Sequence, residues 1–266
     1  MSQLRWYLTL FGQYSAQYLK SKLVYRTDLL FYLTSDFLMQ VVNLIFILVM
    51  FRQVPSIVGW TKYELLFIYG FFTLPSSIYS GLCSGLFEVP EKYVLQGELD
   101  RILVRPVNSL FQILLETMEL ELLLGMIPGL IIMGYSGYHL QLQWQWWHYP
   151  LLLVLTAGAT LVYAGIYILL ASLGFFFEGT TALMPMVYNL STYGRFPIGV
   201  YKGMVKWILT WLLPFAFVGF YPATILMNKF IYWKMALLTP VMGLVVLGVG
   251  YLFWHRGVTR YMGTGS

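Results

Sequence analysis

The side chains with chemistry to offer fall into four groups. Glu116, Glu119 and Glu121 stand within six residues of each other, a density that invites general acid–base or proton-relay work. They sit near one end of an apolar run, and intramembrane acids are functional by default only when they lie deep. Pairing with Arg101, Arg105 or a basic residue of a partner is the reading their position favours. Asp36, Gln40 and Asn43 are four and three residues apart and therefore share one helical face. That face is either an interhelical hydrogen-bond seam or the polar wall of a translocation path. His139 and His148 have no third ligand nearby, which argues against a metal centre. A single cysteine, Cys83, allows no internal disulfide and no Cys-based metal site. The fourth group is the charged block Glu88 to Arg105, EVPEKYVLQGELDRILVR, in which Glu88, Glu91, Lys92, Glu98, Asp100, Arg101 and Arg105 interrupt a chain that is otherwise apolar.

Several chemistries are excluded by motif. There is no G-x-x-x-x-G-K-[ST] to cradle nucleotide phosphates, no H-E-x-x-H for zinc hydrolysis and no G-x-S-x-G nucleophile turn. No cofactor is expected on this chain. The net charge of +5 is spread without a dense basic patch, which fits anchoring to anionic lipid and gives no footprint for nucleic acid.

The elements that must position these groups are membrane helices. Of 266 residues, 59% are hydrophobic and 10% charged, and apolar runs of eighteen or more recur. The fold class is an all-α polytopic membrane protein forming a single transmembrane domain over 1–266. Residues 4–25 repeat Tyr7, Phe11, Tyr14, Tyr18 and Tyr25 at helical steps with cations between them, as an interfacial helix would. The first thirty residues carry no signal-cleavage pattern, and Lys20, Lys22 and Arg26 mark the cytoplasmic side of the first span. Spans are predicted at 29–51, 63–87, 108–133, 150–177, 181–196 and 235–254, with a cytoplasmic segment at 88–107 between the second and third.

Within the spans, Gly81 and Gly85 form a G-x-x-x-G pair that permits close helix contact, and Pro75 predicts a kink. Gly97 is expected to divide the charged segment into two short helices. Between Leu122 and Phe177 there is no Lys, Arg, Asp or Glu, and QLQWQWWHYP marks an aromatic belt on the outside. A tight turn is expected at Glu178-Gly179. Residues 197–230 hold Pro197, Pro214 and Pro222, so Trp207 to Met227 either spans as a broken helix or re-enters as two half-helices. Lys/Arg counts do not decide between these two.

Three stretches, GELDRILVRPVN at Gly97 to Asn108, RFPIGVY at Arg195 to Tyr201 and LPFAFVGFYPAT at Leu213 to Thr224, together resemble the permease subunits of ABC type-2 transporters, in particular the bacterial half-permeases that work with a separate ATPase. The likeness extends along essentially the whole chain. It implies six spans, with the interfacial helix before the first, a coupling helix at Glu88 to Arg105 and outer re-entrant helices before the last. It also implies a location in the bacterial cytoplasmic (inner) membrane with both termini inside. ABC ATPase subunits carrying ATP and Mg, and a second half-permease, homologous or identical, would complete an exporter. Glu91, Lys92, Glu98, Asp100, Arg101 and Arg105 are then the expected ATPase contacts. Two other classes stay open on the residues alone: an ion-coupled secondary transporter using Asp36, and an intramembrane enzyme using Glu116, Glu119 and Glu121.

Overall fold

The computed structural model describes residues 3–24, 26–177 and 179–261. Tyr25, Glu178 and the side chain of Arg26, to which the sequence assigned an aromatic position, a turn and a cytoplasmic marker, lie outside the described residues. Among the described residues the chain is helical throughout, with no strand beyond an isolated bridge at Ile57 and Trp60.

Helix α1 (Gln3–Val24) lies along the start of the third span, with Tyr7 edge-on to Phe111 at 4.9 Å and Lys22 bonded to Glu121 at 2.6 Å. Helix α2 (Arg26–Gln53) is apolar over nearly its whole circumference and largely unburied. Helix α3 (Lys62–Cys83) is by contrast central: Leu65, Phe67, Ile68, Phe71 and Tyr79 are all buried. Its N-terminus is a capping box, Thr61 with Glu64, which satisfies orphan backbone donors reciprocally. Pro75 sits inside α3 without ending it. The helical path continues through a 3-10 turn and a π-helical turn to Leu95, eight residues beyond the predicted end at 87.

Gly97 turns the chain at φ 78°, a conformation that favours glycine because it has no Cβ, and α4 (Leu99–Leu103) follows. The predicted third span is not one helix. Helix α5 (Ser109–Glu116) stops, the backbone turns through Thr117 to Glu119, and a 3-10 turn at Leu120–Gly125 leads into α6 (Met126–His139). A break at membrane depth leaves backbone donors without partners; here the Glu119 N–H donates to the Gly81 carbonyl at 2.9 Å. Gly81 and Gly85 make this possible, since Leu123 and Thr117 occupy the space their side chains would fill. The G-x-x-x-G pair therefore receives the broken segment of the next span. Gly125 and Pro128 lie just after the break.

Helix α7 (His148–Leu173) and helix α11 (Trp233–Arg260), which carries Pro240 inside it, pack along their length. Gly158 meets the Thr239-Pro240 backbone, and Gly165 the Val246-Leu247 backbone. Gly243 and Gly250 in turn lie against the carbonyls of Gly158 and Gly165. Lipid tails give helices no hydrophobic reason to associate, so close backbone approach at small residues supplies the attraction instead.

Between these two helices in sequence the chain is irregular. Helix α8 (Leu183–Ser191) has nine residues and lies within the helical stretch Thr180–Arg195. That stretch is shorter than the roughly 20 residues a crossing requires. Helix α9 (Gly203–Trp207) runs into a π-helical turn ending at Leu212, and after Leu213-Pro214 the chain resumes with a 3-10 turn and α10 (Phe220–Leu226), bent by 67° from the first half. Proline restricts the residue before it to extended backbone and has no N–H to continue the ladder. Among the described residues, five helical runs are long and apolar enough to cross a membrane, and six if the bent pair is one span.

Candidate functional site

A polar cavity of about 660 Å³ lies between α2, α3, α7, α8 and the break in the third span. The α2 stripe lines it. Gln40 Nε2 donates to Asp36 Oδ2 at 2.8 Å, and Asn43 Oδ1 accepts from Arg195 Nη1 at 2.8 Å. Opposite, α3 presents Tyr69, Thr73, Ser76, Ser77 and Ser80, hydroxyls at three- and four-residue steps and so on one face. Sequence reasoning missed this stripe; its signal was a repeated hydroxyl in an otherwise apolar helix. Arg195, quoted there only as part of a motif, reaches the cavity from the turn after α8, with Tyr69 and Phe196 rings 5.9 and 5.4 Å from its guanidinium carbon.

The cavity holds its charges apart. Asp36 and Arg195 are each bonded to a neutral amide, and neither Asp36, Glu119 nor Arg195 takes part in an ion pair among the described residues. Asp36 and Asn43 are two helical turns apart, about 10 Å along α2, so the carboxylate lies towards one end of the cavity and the guanidinium towards the other. A charged side chain at a helix centre costs on the order of 2.5–3.5 kcal/mol on insertion scales. Asp36 and Arg195 bear this cost without the offset of pairing with each other.

The three acids of the third span do not converge. Glu116 accepts from Arg101 at 2.8 Å, Arg105 at 3.1 Å and Gln112 at 3.0 Å. Glu121 turns the other way, to Lys22 and to the Tyr18 hydroxyl, and burial followed by this carboxylate pushes the Tyr18 phenol up. Glu119 lines the cavity. No group of three His, Cys, Asp or Glu among the described residues is arranged to hold a metal.

The charged segment is a small body fastened to the bundle. Val89, Tyr93, Leu99 and Ile102 are buried beneath it, which leaves Glu91, Asp100, Arg101 and Arg105 exposed. Glu91, Lys92 and Glu98 line a shallow cleft of about 370 Å³ with Glu88 and Gln96. The Glu88 carboxylate, 2.8 Å from Lys92 Nζ, holds that ammonium above its usual range. Arg101 and Arg105 keep 51% and 45% of their side chains exposed while both bind Glu116, so they fasten the segment to α5 as well as facing water. Leu103 and Val104 are exposed beside them, Val104 at 86%. The sequence reading passed over both because it followed charge.

On the opposite side of the bundle, the corner Leu226 to Lys229 is gripped three times. Trp144 Nε1 donates to the Leu226 carbonyl, His148 Nε2 bonds Asn228 Oδ1, and Lys229 reaches Glu64 at 2.5 Å while lying 4.4 Å over Trp60. His148 is buried in this corner, and His139 stacks on Tyr63 at 4.4 Å.

No curated protein and no solved structure matches the chain. The family model described as ABC-2 family transporter protein matches residues 37–265, a range that takes in the charged segment, every span after the first helical turns of α2, and the cavity lining except Tyr32, Ser35 and Asp36. Members of that family are transport components of membranes, not catalysts themselves, and the family implies association with ABC ATPase subunits. A multi-pass helical chain with a polar cavity between its spans and a charged body at one end is therefore a permease of an ABC transporter, and it belongs to the ABC-2 transporter family.

Proposed function

We propose that this permease is one half of an ATP-driven exporter in a bacterial cytoplasmic membrane, with both termini inside, and that it couples to its ATPase through residues 88–105. ATP and Mg are held by the ATPase, which closes on binding them. The segment moves with that closure, and the spans switch the side on which the cavity opens. A second half-permease, homologous or identical, faces this one.

The observation that carries the reading is how the segment is attached. Two arginines tie it to α5 through Glu116, and its π-helical half is continuous with α3. Force applied to its outer face, Glu91, Lys92, Glu98, Asp100, Arg101, Leu103, Val104 and Arg105, would pass directly to α5, which ends at the break in the third span, and to α3, whose Gly81 carbonyl takes up the freed N–H of that break. Asp36, Gln40 and Asn43 are the path residues on this reading. Arg101 and Arg105 have a structural duty, so the informative substitutions are Asp100→Arg and Val104→Glu, neither of which removes an ion pair among the described residues. Co-purification with the ATPase and stimulation of ATP hydrolysis are both expected to fall. A double variant that stimulates the ATPase as the parent does would refute coupling through this surface.

A further inference from the structure

Resting on the cavity being the substrate's route, we infer that its substrate is an amphiphile bearing both a primary ammonium and an anionic group, bound with the ammonium at Asp36 and Gln40 and the anion at Arg195. Three observations carry this. The first is the unused bonding capacity. Gln40 Oε1 and Arg195 Nε are buried and have no partner. The orientation of the Gln40 amide is set by Asp36, because only its NH₂ can face a carboxylate; its carbonyl is thereby left as an acceptor that needs an N–H or O–H. Asp36 and Gln40 thus offer acceptors together. A primary ammonium has three N–H donors and fits them, whereas a quaternary ammonium has none.

The second is at the other end. A guanidinium carries five N–H donors, and here Arg195 gives one to a neutral amide and none to a carboxylate. Aromatic rings flank it on Tyr69 and Phe196, which leaves the planar fork suited to a phosphate or carboxylate. The two α2 turns between Asp36 and Asn43 put about 10 Å between the backbone positions that anchor the two sites. Ligand charges about 5–8 Å apart, each within hydrogen-bonding distance of its site, bridge them. A molecule with only one charge would leave the opposite site empty.

The third is the rim. Met39 and Tyr188 line the cavity and are also 64% and 46% exposed, so the cavity opens sideways between α2 and α8. Beside that opening α2 presents Phe37 and Leu38, also exposed. A polar head inside and a hydrocarbon tail outside along α2 match this division of surface.

The test uses the full chain in neutral maltoside micelles, without ATPase or nucleotide, and native mass spectrometry to titrate three probes of equal chain length. These are lysophosphatidylethanolamine, lysophosphatidylglycerol and a simple alkylamine. The first is expected to bind at least about tenfold more tightly than either of the others, since each lacks one charge-assisted partner. Asp36→Asn should reduce it to the level of lysophosphatidylglycerol, and Arg195→Gln to that of the alkylamine. Gln40→Leu should weaken lysophosphatidylethanolamine more than lysophosphatidylglycerol. Protection of buried Cys83 from maleimide checks that each variant is folded. Equal binding of the three probes, or an ethanolamine preference that survives both charge substitutions, overturns the inference. A chain that shows the preference but never responds to an ATPase would sink the transport reading alone. A chain that couples to an ATPase without the preference would sink the substrate class alone.

Discussion

Replacing Gly165 by alanine adds a single carbon at the centre of the α7–α11 seam. Its Cβ would stand 2.5 Å from Leu247 N, 2.6 Å from Val246 C and 2.7 Å from Leu247 Cα, where ordinary contact begins near 3.4 Å. All three neighbours are backbone, so no side chain can swing away, and the helices must part by roughly 1 Å, a displacement of the kind that costs about 1–3 kcal/mol in a packed core. The same displacement loosens the Gly158–Gly243 contact two turns away, where dispersion is the main attraction. Alanine gains about 1 kcal/mol over glycine in helix propensity, leaving a net loss of up to about 2 kcal/mol. Gly248, on α11 itself, has nothing within 4 Å of its missing Cβ. Gly248→Ala therefore reports propensity alone and should be neutral or slightly stabilising. Thermal unfolding in maltoside, followed through maleimide labelling of Cys83 as it becomes exposed, measures both variants. Equal midpoints for the two, or a larger loss at Gly248, would refute the packing argument.

The ion pairs give two further expectations. Glu116→Gln removes the carboxylate charge that Arg101 and Arg105 share and leaves one acceptor oxygen where there were two. Because both arginines are about half exposed, each pair is worth at most about 1 kcal/mol; stability should fall only slightly, while stimulation of the ATPase falls more as the segment comes loose from α5. Retained stimulation would show that α3 alone carries the connection. Lys229→Met strands the buried Glu64 carboxylate with only the Thr61 N–H. Removing one member of a well-buried pair costs about 3–5 kcal/mol, and the one-third exposure of Lys229 brings this to about 1–2 kcal/mol. Adding Glu64→Gln should recover at least half of the lost midpoint, since no unpaired charge then remains; no recovery would mean that packing of Lys229 on Trp60 was the larger effect.

Helical class was legible because twenty consecutive apolar residues have few physical alternatives, and residue-by-residue hydropathy is a local property. The Asp36, Gln40, Asn43 face was legible for the same reason: period fixes which residues share a side of one helix. Gly97 was legible as a breaker, since a positive φ strongly favours glycine. What those residues face was not. Arg195 is 152 residues from Asn43 in the chain, and no local pattern announces that the two meet. Nor did the acids of the third span reveal that Glu116, Glu119 and Glu121 point three ways, because that depends on a break whose freed N–H is taken up by Gly81 of another helix. The seam of Gly158 and Gly165 with Gly243 and Gly250 was equally hidden, as isolated glycines become a packing surface only when two helices are laid together.

The sequence by itself thus determined the solvent: its apolar runs demand a bilayer, and its charged block demands water. It also determined which side chains are grouped along each helix. Tertiary structure alone decided which groups confront one another across the cavity, which charges are cancelled and which stay unpaired. The reason is physical. Periodicity and hydropathy act between residues a few positions apart, whereas the cavity, the break and the glycine seam are made by contacts between helices, whose geometry depends on every other helix in the bundle.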